Sequence, residues 1–177
     1  PIGFGLVFHR LVSSALVPAT NLVQVHRQAE STGIPAVAAA IRRHEIPEIK
    51  LYEGKKPGVS FIACDTFDVV DVLRRLANEW SGEDFQVLSA VKGGFGGIEF
   101  INGTFHADAL GGPDGLRFVA GEPVIHLVND HERGLMNGTL GRVCAVHEEG
   151  IQVDFEGVVC SFDWGTAGER IEHAYAI

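Results

Sequence analysis

The chain has 177 residues, 46% of them hydrophobic and 21% charged, with a formal net charge of −9. That is enough chain for one full core with a satellite, and the composition is that of a globular protein. No apolar run approaches the ~20 residues of a membrane-spanning helix, and the acidic balance weighs against a general polyanion-binding surface, so any nucleic-acid contact must be local.

Cys64, Cys144 and Cys160 are widely spaced, with no CxxC or Cys/His cluster. This spacing predicts no metal site and a reducing, cytoplasmic setting, with Cys64 a buried thiol. The chain opens PIGFGLVFHR, without an initiator Met or a secretory pattern, and stops on HAYAI. Both ends lead one to expect a piece of a longer protein.

Residues 3–13 fit a short helix that Val17-Pro18 breaks. TNLVQV, residues 20–25, reads as a strand whose carboxyl end delivers His26, Arg27 and Gln28, the kind of place where open parallel sheets bind ligands. Ile34, Val37, Ala38 and Ile41 repeat at helical spacing, with Ser31 or Thr32 as cap and Pro35 in the first turn. Residues 44–58 read as a loop containing a short strand, IKLYE. VSFIAC, residues 59–64, reads as a buried strand, and Asp65 as the cap of a helix that stripes Val69, Leu73, Leu76, Ala77 and Trp80 on one face. FQVLSAV, residues 85–91, is a further strand. The turn Lys92-Gly93-Gly94-Phe95-Gly96-Gly97 sits between strand and helix, where backbone N–H groups can cradle phosphate, yet it lacks the GxxxxGK[ST] pattern and matches GxGxxG poorly. The next helix turns Ile98, Ile101 and Phe105 inward, and Asn102 and His106 share another face.

Beyond Gly111–Gly115 the pattern changes. Ile151, Val153 and Phe155 alternate with polar residues, and Val158, Cys160, Phe162 and Trp164 repeat the alternation, a period of two. Asn137-Gly138 signals a type I′ hairpin, and Glu149-Gly150 and Glu156-Gly157 punctuate two more turns. Short strands with tight turns predict a small SH3-like β barrel. IEHAYAI, residues 171–177, then reads as a strand returning to the first sheet. The fold class expected is α/β: a parallel RecA-like sheet of the P-loop NTPase type, helices on both faces, interrupted by the small barrel. His126, His131, His147 and His173 show no ligand spacing and read as surface or strand residues.

Several blocks, in order, resemble superfamily-one DNA helicases of the RecD/TraA type. Pro-Ile-Gly at the start is similar to the tail of GDxxQLPPIG in motif III. LVQVHRQAE, residues 22–30, resembles motif IV. QVLSAVKGGFGGIEFIN, residues 86–102, resembles VLSPMKKGPLGxxxLN, with Ala90 in place of the usual proline. FVAGEPVIHLVNDHERGLMNGTLGRV, residues 118–143, resembles the run entering an inserted SH3-like domain, and HAYAI resembles the strand before motif V.

The resemblance implies that residues 1–18 are the tail of a first motor domain and 19–117 the first part of a second RecA-like motor domain. Residues 118–166 are then the inserted barrel and 167–177 the returning strand. It implies a fragment of an ATP-dependent 5′-to-3′ helicase, using ATP and Mg2+ in the parent protein, with single-stranded DNA and the first motor domain as partners and no membrane. Arg27 would be the arginine that reaches the γ-phosphate, with fixed bidentate donors for phosphoryl oxygens. Gln28 and His26 would lie by the nucleotide, although His26 departs from the family's usual aromatic. Lys92, Asn102, Arg133 and Asn137 would contact single-stranded DNA, with Asn129 beside them; for Asn137, turn chemistry is the plainer account. The Walker A lysine, the Walker B carboxylates and the motif VI arginine are not in this sequence, so the fragment alone is expected neither to bind ATP nor to hydrolyse it. The competing reading is a non-enzymatic SH3-like interaction module, less favoured because Phe155, Phe162 and Trp164 alternate inward. A hydrolase is disfavoured by the lack of GxSxG and HExxH.

Overall fold

Period-two alternation builds the largest element of the fold. β3 (Pro123–His126), β4 (Leu140–His147), β5 (Gly150–Phe155), β6 (Val158–Asp163) and β7 (Ile171–His173) form one antiparallel sheet in the order β6-β5-β4-β3-β7. The computed structural model describes residues 6–14, 17–20, 29–82, 85–111 and 116–177. The chain divides into two units, Pro1–Ile62 and Ala63–Ile177.

In the second unit the alternating residues meet as predicted. Ile151, Val153, Phe155, Cys160 and Phe162 are buried and join Phe118, Val124, Val143 and Ile171 in one cluster. Each large apolar side chain so buried stabilises the unit by about 1.5–3 kcal/mol relative to exposure. Val158 departs from the pattern and is exposed, because it opens β6 directly after a turn. Trp164 begins α5 (Trp164–Arg170) rather than extending the strand; it packs half-buried on the cluster. Asp163 caps that helix, accepting the Thr166 N–H at 2.9 Å and the Thr166 hydroxyl at 2.6 Å.

The turns redistribute the expected geometry. The type I′ requirement of positive φ at both central residues is met by Glu156 (φ 53°) and Gly157 (φ 93°), which join β5 to β6. At Asn137-Gly138 only the glycine has positive φ (93°), and the Thr139 N–H donates to the Met136 carbonyl at 3.0 Å. That is a type II pattern at the end of a long β3–β4 connection.

α3 (Val69–Glu79) and α4 (Ile98–Leu110) precede the sheet in this unit. A bidentate pair ties them: Arg74 donates to both carboxylate oxygens of Asp108 at 2.7 and 2.9 Å. Asp65 leads a short 3-10 turn, and Asp68, not Asp65, is the residue before α3, with no side-chain cap. The chain then returns to its own earlier segment. Val87 and Ala176 form an isolated parallel bridge, the Ile177 N–H donates to the Val87 carbonyl, and the Ser89 N–H donates to the Ile177 carbonyl. Residues 85–91 contribute that bridge rather than a full strand, while Ile171–His173 joins the antiparallel sheet beside β3.

In the first unit, α1 (Val7–Val12) and α2 (Ile34–Arg42) lie where the spacing predicts. Gly33 at φ 74° caps α2, and Pro35 is in its first turn. β1 (Lys50–Leu51) and β2 (Ser60–Phe61) pair in parallel. The strand at 59–64 is therefore shorter and more open than expected: Phe61 is 53% exposed and Cys64 is exposed. Parallel strands are buried when helices cover both faces, and among the described residues β2 has one neighbour, β1. The architecture is thus mixed α/β, with one small parallel sheet and one five-stranded antiparallel sheet. The strand expected at 20–25 and the boundary at Gly111–Gly115 lie largely outside the described residues. Among the described residues no helix is long and apolar enough to cross a membrane.

Candidate functional site

The densest polar chemistry gathers around one carboxylate. Glu122 immediately precedes β3 and its side chain is 2% exposed. One oxygen, Oε1, lies 2.7 Å from His106 Nδ1 and accepts the Tyr175 hydroxyl at 3.1 Å. The other, Oε2, accepts the Val119 N–H at 2.6 Å and lies 3.2 Å from His173 Nε2. The rings of His106 and His173 lie tilted against each other at 35° with centroids 4.4 Å apart, and the Phe118 ring centroid lies 4.7 Å from that of His173. α4 supplies His106, β7 supplies His173, and the segment after it supplies Tyr175.

Electrostatics follow from that packing. Burial pushes the Glu122 carboxyl up, but the close contact with His106, the Val119 N–H and positive charge on the histidine side hold it below its ordinary value. Burial lowers His173, against the pull of Glu122. Tyr175 is raised, first by burial and then by the Glu122 charge and hydrogen bond, so it stays a phenol that donates.

A second cluster lies alongside. The Asn102 amide donates to the carbonyls of His173 at 2.7 Å and Ala176 at 3.1 Å, and its oxygen accepts the Ala176 N–H at 2.7 Å. Gln86 donates to the carbonyls of Ala174 and Tyr175. Asn102 was expected at the DNA. Its two amide hydrogens are both committed to the backbone, which leaves no donor for a phosphate, so the helix face puts it to work as a strand clamp.

The start of α4, just after the glycine-rich turn, likewise spends donors internally. The N–H groups of Ile98 and Glu99 donate to the Val91 and Lys92 carbonyls, and the Gly97 N–H donates to the Gly94 carbonyl. A phosphate cradle needs those groups free. What the turn does expose is side chain. Lys92 Nζ stands 3.7 Å from Glu99 with its side chain 76% exposed. Phe95 stacks edge-on between Phe67 and Phe100, at 5.0 Å from each, and with Gly94, Glu99 and Phe100 it lines a shallow pocket.

The other expected site residues fall in different places. Arg133 lies in the β3–β4 connection; its guanidinium sits 5.0 Å over the Phe162 ring and 3.9 Å from Asp130, which also pairs with Arg170 at 3.1 Å. Asn137 has an exposed side chain, and its N–H donates to Asn129 Oδ1 at 2.9 Å, the turn chemistry its sequence suggests. Arg27, Gln28 and His26 lie outside the described residues. The meeting of His106, Glu122 and His173 is not legible in sequence, because His106 and Glu122 stand 16 residues apart and His173 a further 51 away; no local spacing signals such a cluster. Of the strand histidines, His126 is fully buried and His147 is exposed.

No family model matches the chain. It is 30% identical over 168 residues to the ATP-dependent RecD2 DNA helicase of Deinococcus radiodurans, a match that takes in 90% of this chain. The chain resembles a segment of a RecD-type DNA helicase. It spans 22% of the length of that relative. Among solved structures it is similar to a Pif1 helicase from a study of forked double-stranded DNA unwinding by two coordinating Pif1 helicases, at 21% identity and a TM-score of 0.48 over 87% of this chain and 38% of that one. It is also similar to Bacteroides Pif1 bound to single-stranded DNA, at 19% identity and a TM-score of 0.47 over 87% of this chain and 40% of that one. Both scores fall short of a shared overall fold, and the RecD2 match stands on sequence.

Proposed function

We propose that this chain is part of the second motor domain of an ATP-dependent DNA helicase that moves 5′ to 3′ on single-stranded DNA. The observation that carries the reading is the 30% identity to a RecD2 helicase across 90% of the chain. The antiparallel sheet of residues 123–173 is the inserted SH3-like domain in this reading, and the bridge from Val87 to Ala176 marks the return to the motor sheet. ATP with Mg2+ binds between this part and a first RecA-like motor domain of the same parent chain. The first N–H groups of α4 are spent on carbonyls of residues 91 and 92, and in this reading the main phosphate cradle belongs to the first motor domain, so that the fragment alone is inactive. Such a motor works in the cytoplasm.

Arg27 brings a guanidinium to the γ-phosphate, with Gln28 and His26 beside the nucleotide. In the parent enzyme, Arg27→Ala lowers DNA-stimulated ATP turnover by about 1,000-fold while thermal unfolding is unchanged. Turnover like that of the wild type would remove Arg27 from the role.

Lys92, Arg133 and Asn137 contact the DNA in this reading, while Asn102 clamps the backbone of residues 173–176. The support is the exposed pairing on one turn of a cation, Lys92, with an aromatic ring, Phe95: a backbone contact and a stacking surface together suit single-stranded DNA. Glu99 beside Lys92 and the net charge of −9 keep the affinity low. Fluorescence anisotropy with an oligothymidine is expected to show weak binding that falls steeply with salt, and Lys92→Ala should reduce the salt slope by about one. An unaltered slope removes Lys92 from the track.

A further inference from the structure

The hydrogen bonding of His106 contains a conflict. Its Nε2 lies 3.0 Å from the Leu116 carbonyl oxygen. A carbonyl only accepts, so Nε2 carries a proton. The neutral ring then has a bare lone pair at Nδ1, aimed at the Glu122 carboxylate 2.7 Å away. Glu122 in turn accepts the Val119 N–H and the Tyr175 hydroxyl, which suits an ionised carboxylate. With a neutral ring two acceptors would face each other in a buried place, and either a second proton on the ring or a bound cation removes the repulsion.

We propose that His106 Nδ1, Glu122 and His173 Nε2 form a binding site for a zinc-class divalent cation. The three ligand atoms lie within 4.8 Å of one another. Two imidazole nitrogens and one carboxylate oxygen are the donor set such ions favour. The contact from His106 Nε2 to the Leu116 carbonyl is the outer partner that metal-bound histidines ordinarily have, and Tyr175 and the Val119 N–H orient the carboxylate in the same way. With metal–ligand distances of about 2.0 Å, the 2.7 Å pair must open by roughly half an ångström. The 17% and 18% exposure of the two histidine side chains leaves an approach. The ligands come from α4, the turn before β3, and β7, so the ion ties those three together. The site stands whether or not the helicase reading does.

The test uses the whole 177-residue chain, reduced and stripped with chelator. Zinc is added in competition with a chromophoric chelator, and cobalt is added separately to read the visible bands of a nitrogen–oxygen site. One equivalent bound tightly is expected, with a higher melting temperature. His173→Ala and Glu122→Gln should each weaken that equivalent by more than about tenfold, while His147→Ala on an exposed strand position leaves it unchanged. Melting of each variant in chelator shows that it still folds; if His173→Ala does not, Glu122→Gln and the cobalt spectrum of the wild type decide. No equivalent beyond the background of the variants, or thiolate-type cobalt bands, overturns the proposal and leaves a second proton on His106 as the positive species.

Discussion

A single side chain shows how far local pattern and local energy can part. His126 sits in β3 at 0% exposure, with its ring centroid 5.9 Å from those of both Phe155 and Phe162. Neither ring nitrogen has a hydrogen-bond partner among the described residues. Leaving such a group buried and unpaired costs about 1–3 kcal/mol. His126→Leu is therefore expected to raise the midpoint of thermal unfolding, and a fall would reveal a partner for the ring. The sequence left His126 as a surface or strand residue. Its complete burial depends on Phe155 and Phe162, which reach it from two other strands.

Elements depend on side chains that lie far away in sequence. Asn102 on α4 makes three hydrogen bonds to the backbone of residues 173–176. Asn102→Ala removes them and should cost roughly 2–3 kcal/mol in chemical denaturation, with faster amide exchange at Ala176 and Ile177. If exchange there is unchanged, the clamp does not hold that segment. The start of α5 depends on a local contact instead. Hydrogen bonds from the Thr166 hydroxyl and N–H hold the Asp163 carboxyl below its ordinary range. A depressed value means that the cap stabilises the fold above that range and loses its effect as pH falls below about 4. Asp163→Ala should lower the melting temperature by a few degrees at neutral pH and flatten its fall in acid; parallel acid profiles would show that the cap adds nothing. Neither contact was legible in sequence: the alternation runs on through Trp164 and hides the helix that Asp163 caps, and the asparagine clamp's partners are carbonyls 71 and 74 residues on.

At the scale of the whole molecule, the similarity to a RecD-type helicase and the order of the blocks agree with a chain that leaves a parallel segment, builds an antiparallel sheet and comes back to Val87. The sequence by itself determined the first four helices, because 3.6-residue spacing is a local property, but not α5, which follows a strand alternation that the sequence carries on through Trp164. It also determined the inward faces of β5 and β6, because alternation forces successive side chains to opposite sides, and it determined the family resemblance. Only the tertiary structure decided that the type I′ turn falls at Glu156-Gly157 and that Cys64 is exposed. It alone spent the Ile98 and Glu99 N–H groups, at the start of α4, on the Val91 and Lys92 carbonyls, and it alone gathered His106 and His173 around the Glu122 carboxylate. Those outcomes depend on which distant groups compete for the same donors and the same space. That competition is settled by packing, and the order of residues along the chain does not record it.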